Sequence, residues 1–177
     1  PYQNTIVNYG YDYLIKNYKF YLELATGAGK TFIVYNLLKK LKSKNIIIFT
    51  PRTDISIQNI KLKYLNLLDT KYEVFDCLNG KSINIPINTP NFLLTSCIQS
   101  YKKVYEFLKQ NQDFKNITIW FDEAHWGLEN WNYDIENEIK KFWIYDLKQI
   151  EYRIFTSASP NKLTVKLNEP IFGKVYN

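Results

Sequence analysis

Methionine is absent from the 177 residues, histidine occurs once and cysteine twice. Cys77 and Cys97 show no CxxC spacing, which argues against a disulfide framework or a zinc site and fits a reducing, intracellular compartment, cytoplasm or nucleus. No apolar run approaches a membrane span, and no signal-peptide pattern opens the chain. The arginines are Arg52 and Arg153, and none follows Pro160. The chain opens on Pro1 rather than methionine, so we expect a segment of a longer protein. What is present is apolar bulk. With 46% hydrophobic and 17% aromatic residues, one domain or two small ones can bury a full core, which excludes a disordered chain. Net charge is +6, which suits a polyanionic partner, nucleic acid first. Yet Lys, Asn, Ile, Tyr and Phe all have AT-rich codons. Charge alone therefore leaves codon bias and polyanion binding equally open.

Strand and helix patterns alternate along the chain. Helical spacing covers 2–17, 31–42, 54–68 (with Asp54 as N-cap) and about 99–110. Strand patterns cover 18–24, 45–49, 71–77, 92–95, 117–121 and 152–156, and a further helix is expected over 134–142. Asn79-Gly80 marks a turn, and Pro86 and Pro90 break the segment after it. The strands are mostly continuous apolar runs, and strands alternating with helices predict a mainly parallel sheet with helices on both faces. Ligands of such sheets sit at the carboxyl ends of the strands.

Two motifs fall at such ends. Residues 25–31 read Ala-Thr-Gly-Ala-Gly-Lys-Thr, between a strand and a helix. Gly27 and Gly29 allow backbone N–H groups to converge on an anion, and the following helix adds its positive end. Lys30 is placed to reach β and γ phosphates, and the Thr31 hydroxyl to meet Mg²⁺. The strict pattern asks for a further glycine where Leu24 stands. About ninety residues later, Asp122-Glu123-Ala124-His125 follows the strand Ile117–Phe121. Asp122 is a candidate Mg²⁺ holder opposite Thr31, and Glu123 a candidate general base for an attacking water. His125 has no partner set for a metal and is expected to bridge to a neighbouring motif. Each motif alone has a bland counterpart, a surface turn or a helix cap. The pair, in this order, points to ATP hydrolysis.

These residues resemble the first RecA-like lobe of superfamily-two helicases and translocases, in the branch with the motor subunits of restriction enzymes. The likeness runs from about Tyr2 to Gly173. It implies a RecA-like P-loop three-layer α/β/α sandwich, with 1–177 as one lobe. Ala-Thr-Gly-Ala-Gly-Lys-Thr is similar to motif I, where the early glycine is commonly missing. That makes Thr26, Gly27, Ala28, Gly29, Lys30 and Thr31 the nucleotide cradle. Asp-Glu-Ala-His is similar to motif II. Ser-Ala-Ser-Pro at 157–160 resembles motif III, with Ser157 and Ser159 keeping the coupling hydroxyls. Pro1-Tyr2-Gln3 resembles the upstream motif whose glutamine reads adenine, so the resemblance gives that role to Gln3. Thr50-Pro51-Arg52-Thr53 is similar to motif Ia, and Thr95 to Ser100 to a later strand-end motif. By resemblance, Thr50, Arg52, Thr95 and Gln99 contact a nucleic-acid backbone, DNA sooner than RNA. The family's ATP site closes with arginines from a second lobe, expected elsewhere in the same polypeptide.

Trp126, Trp131 and Trp143 could stack on bases, but packing is the commoner use of such rings. Two other readings compete. One is a P-loop ATPase or kinase unrelated to helicases. The other is a degenerate lobe that binds nucleotide or nucleic acid without turnover, although Lys30, Thr31, Asp122 and Glu123 are all intact.

Overall fold

The computed structural model describes residues 2–124, 147–158 and 175–176. The helix expected over 134–142, and Pro1, His125, Trp126, Trp131, Trp143 and Ser159, lie outside the described residues.

The described chain runs α1 (Tyr2–Asn17), β1 (Lys19–Glu23), α2 (Lys30–Leu41), β2 (Asn45–Thr50), α3 (Thr53–Asn59), α4 (Leu62–Leu65), β3 (Glu73–Asp76) and β4 (Phe92–Cys97). A single 3-10 turn at Ile98–Ser100 leads into α5 (Tyr101–Gln110), and β5 (Ile117–Asp122), β6 (Ile150–Ser157) and β7 (Val175–Tyr176) follow. The sheet has seven strands in the order β3-β4-β2-β5-β6-β1-β7, and every pairing is parallel.

The centre of this sheet is buried on both faces, with β2 and β5 buried along their whole length, while the edge strand β3 is exposed to half-buried. Alternate side chains divide between two cores. Phe20, Ile46, Ile48, Trp120 and Ile154 meet α1 and α2 on one side. Tyr21, Ile47, Phe49, Ile119 and Phe155 meet α5 on the other. Three layers result, a RecA-like α/β arrangement. No described helix is long and apolar enough to cross a membrane.

One expected helix is divided. The 54–68 pattern becomes α3 and α4, separated by Ile60 and by Lys61 with extended backbone (φ −63°, ψ 145°). At this break the Asn59 carbonyl accepts a hydrogen bond from the buried Tyr35 hydroxyl. Asp54 is not the N-cap. Arg52 holds that position, and its guanidinium donates to Asp54 at 2.8 and 3.1 Å. The Asn79-Gly80 turn is present, with both residues at positive φ and Lys81 N–H closing onto Leu78 O at 3.1 Å.

The order of strands positions the site. β6 lies between β1 and β5, so the loop after β1 and the carboxylates after β5 flank one strand end. Asp122 is in register with Thr156 of β6, and Thr156 with Leu22 of β1.

Candidate nucleotide site

The loop between β1 and α2 turns on two glycines. Gly27 and Gly29 have φ of 83° and 82°, the left-handed region that side chains disfavour. Gly29 is the N-cap of α2 and supplies no side-chain cap, and α2 has no acidic residue in its first turn. The first N–H groups of α2 thus have no side-chain partner from the cap and face an anion-compatible field. A Cβ at Gly29 would fall on Gln3 Nε2, whereas one at Gly27 would meet open space. The hydroxyl of Tyr2 donates to Ala28 O at 2.6 Å. The start of α1 therefore packs on the cradle and brings Gln3 to it.

Across the strand ends, Lys30 Nζ lies 2.6 Å from Glu123 Oε1 and 3.0 Å from Asp122 Oδ1. Burial opposes the lysine's charge, but Asp122 and the hydrogen bond to Glu123 outweigh it and raise its pKa above the usual 10.5. Asp122 is 3% exposed and held from several sides. Its Oδ1 accepts from Thr156 Oγ1 and from Glu123 N–H, both at 2.9 Å, and its Oδ2 accepts from Asn59 Nδ2 at 2.9 Å. Trp120 Nε1 donates to Thr156 Oγ1 at 2.9 Å. Glu123 adopts φ 54°, a conformation that is rare outside glycine and common where a site stores strain. The Ala124 N–H bond to Thr156 O at 2.9 Å helps to fix that turn.

The cradle and the acidic pair enclose an open cleft of about 430 Å³ that also reaches Thr31, Gln58 and Tyr64. Its donor set fits a magnesium nucleotide. A lysine and helix N–H groups suit phosphates, and a carboxylate with a hydroxyl suits a hard cation. Lys30 offsets part of the carboxylate charge of Asp122 and Glu123.

The residues expected from the sequence divide as follows. Gln3, Thr26, Gly27, Ala28, Gly29, Lys30, Thr31, Asp122 and Glu123 gather at one strand-end region. Ser157 ends β6 beside them, fully buried, and its carbonyl accepts from Leu24 N–H at 3.1 Å. Arg52 and Gln99 are exposed at the neighbouring ends of β2 and β4, where Gln99 Nε2 reaches Pro51 O at 3.4 Å. Thr50 and Thr95 are corrected: both are fully buried, so neither hydroxyl reaches the surface. Thr50 Oγ1 is occupied internally with Arg52 O and Ser56 Oγ. Asn59, Thr156 and Tyr35 escaped the sequence reading. Only the position of Thr156, just before Ser-Ala-Ser-Pro, offered any signal.

A RecA-like sheet with a glycine-lysine cradle facing a strand-end acidic pair has the architecture of a P-loop nucleotide-binding lobe. The chain belongs to the family described as Type III restriction enzyme, res subunit, whose model matches residues 1–154. Solved structures share the fold at low identity. The Pyrococcus furiosus Hef helicase domain aligns with TM-score 0.73 and 17% identity over 98% of this chain and 37% of that one. The Sulfolobus solfataricus SWI2/SNF2 ATPase core in complex with dsDNA gives 0.61 and 18% over 93% and 33%. The ATP-dependent Type ISP restriction-modification enzyme LlaBIII bound to DNA gives 0.69 and 17% over 90% and 12%. The chain thus spans well under half of each of these three proteins. No curated protein sequence matches it.

Proposed function

We propose that this chain is the ATP-binding lobe of an intracellular DNA translocase or helicase that couples ATP hydrolysis to movement in a longer protein. The observation that carries the reading is the meeting of Lys30 with Asp122 and Glu123 across the end of β6. Lys30 and the N–H groups of its loop bind the β and γ phosphates. Thr31 and Asp122 hold Mg²⁺. Bound Mg²⁺ supplies Lewis-acid stabilisation of charge on the phosphoryl oxygens. Glu123 orients and deprotonates the attacking water, and Gln3 reads adenine with one amide donor and one acceptor. Ser157, with His125 and Ser159, couples this site to the track.

Residues 1–177 form one lobe in this reading. A second RecA-like lobe supplies the arginine that completes catalysis, a group whose addition is worth about 10³–10⁵ in rate. DNA is the favoured track because the family is that of a restriction enzyme and three of the similar structures are DNA complexes, against one bound to RNA. Arg52 and Gln99 are the exposed candidates for backbone contact, a sequence-independent grip.

The test has two arms. The chain should bind Mg·ATP, and Lys30→Ala should weaken that binding at least about tenfold, the loss of one charged phosphate contact. Equal affinity would overturn the site. In the full-length protein, Glu123→Gln should abolish DNA-stimulated turnover while ATP binding persists. Normal turnover in that variant would remove Glu123 from its role.

A further inference from the structure

Asp122 receives very different support on its two oxygens. Three donors converge on Oδ1: Lys30 Nζ at 3.0 Å, and Thr156 Oγ1 and Glu123 N–H at 2.9 Å. Among the described residues, Oδ2 is held by Asn59 Nδ2 alone, at 2.9 Å. Asn59 is itself 3% exposed and ends α3. Its place there is enforced rather than incidental. The Tyr35 hydroxyl donates to its carbonyl at the point where α3 ends.

Tyr35 comes from α2, the helix that begins with Lys30. Its ring meets Trp120 edge-on at 6.0 Å and stacks on Tyr64 at 5.6 Å. Trp120 in turn donates to Thr156, which donates to Asp122. Tyr35, Asn59, Asp122, Thr156 and Trp120 therefore form a closed, buried ring across α2, α3, β5 and β6. Burial holds the Tyr35 phenol neutral well past its ordinary range, so it remains a donor.

We propose that Asn59 is a positioning residue for the metal-holding carboxylate: it orients Asp122 through Oδ2, and Tyr35 anchors it for that task. The motif pattern gives Asn59 no role, and the inference rests on the nucleotide site proposed above. The physical reason is that a ligating carboxylate needs a fixed orientation, which its outer hydrogen bonds supply. Removing such a partner typically costs about 10–100-fold in metal affinity. The neutral amide adds orientation without adding charge, so nucleotide binding without metal should not depend on it.

The experiment measures fluorescent ADP binding to the chain in Mg²⁺ and in EDTA, for wild type, Asn59→Leu and Tyr35→Phe. Circular dichroism melts check folding. We expect the Mg²⁺ concentration for half-maximal enhancement to rise about tenfold or more in Asn59→Leu. Tyr35→Phe should shift it in the same direction by a smaller factor, and the EDTA affinity should stay within about twofold. A folded Asn59→Leu with unchanged Mg²⁺ dependence would overturn the inference. So would equal losses with and without metal, the mark of a purely structural role. If Asn59→Leu does not fold, Tyr35→Phe decides: an unshifted Mg²⁺ dependence overturns the proposal. A wild-type chain with no ADP affinity, or with none that Lys30→Ala removes, would refute the site itself instead.

Discussion

Replacing Lys30 by methionine should destabilise the nucleotide-free chain, and the geometry sets the size of the effect. The lysine makes two charge-assisted contacts, at 2.6 and 3.0 Å. Its side chain is 17% exposed, that of Asp122 4% and that of Glu123 22%. A hydrogen bond to a charged group contributes about 1.5–3 kcal/mol when buried, and an exposed ion pair about 0–1. Asp122 keeps its Thr156, Asn59 and Glu123 N–H donors in the variant, so it is not left bare. A net loss of about 2 kcal/mol follows, which lowers Tm by about 4–8 °C for a chain of this length. Methionine keeps most of the volume and none of the charge. Differential scanning calorimetry without nucleotide reads the effect. The sign of the pH dependence is fixed as well. The folded pKa of Lys30 lies above the ordinary 10.5, so its contribution is complete below that pH and is lost as pH rises through the folded value. The gap between wild type and Lys30→Met should be constant from neutral pH to about 10 and close above it. A lysine merely waiting for phosphate would have no partner to lose. An unchanged or raised Tm in the variant would refute the reasoning.

The two glycines of the cradle should differ: Gly27→Ala meets open space and only a φ penalty of about 1 kcal/mol, whereas Gly29→Ala also displaces Gln3, and urea melts should rank Gly29→Ala as clearly worse. Thr156→Val keeps shape but strands the Trp120 N–H and removes a donor from Asp122, so chemical denaturation should show a loss of about 1–3 kcal/mol. Cys97, half-buried, should react with a thiol reagent before Cys77, which is 1% exposed and whose thiol burial pushes up; equal rates at neutral pH would contradict that environment.

The elements that could be read in advance were those with a local cause. β5 is apolar but for Thr118 before it ends on Asp122, and a parallel strand buried on both faces needs such a run. The cradle could be read because its chemistry lies within seven consecutive residues. The rest depends on contacts distant in sequence. Asn59 and Asp122 are 63 positions apart, and nothing around Asn59 distinguishes it from a polar residue on a helix surface. The break after α3 likewise coincides with a contact distant in sequence, the Tyr35 hydroxyl on the Asn59 carbonyl. Thr50 and Thr95 show the opposite error. A threonine at a strand end suggests a phosphate contact, but its β-branched side chain also fits the pleat, and here both are packed inside.

The central claim is that nucleotide and metal are held between the Lys30 loop and the carboxylates after β5. A crystal structure of the chain with Mg²⁺ and a non-hydrolysable ATP analogue tests it most directly. The account predicts phosphate density on the Lys30 loop, the metal beside Asp122, and Lys30 Nζ drawn from Glu123 toward the phosphates. An analogue bound elsewhere, or Lys30 unmoved on Asp122 and Glu123 with nucleotide present, would contradict it.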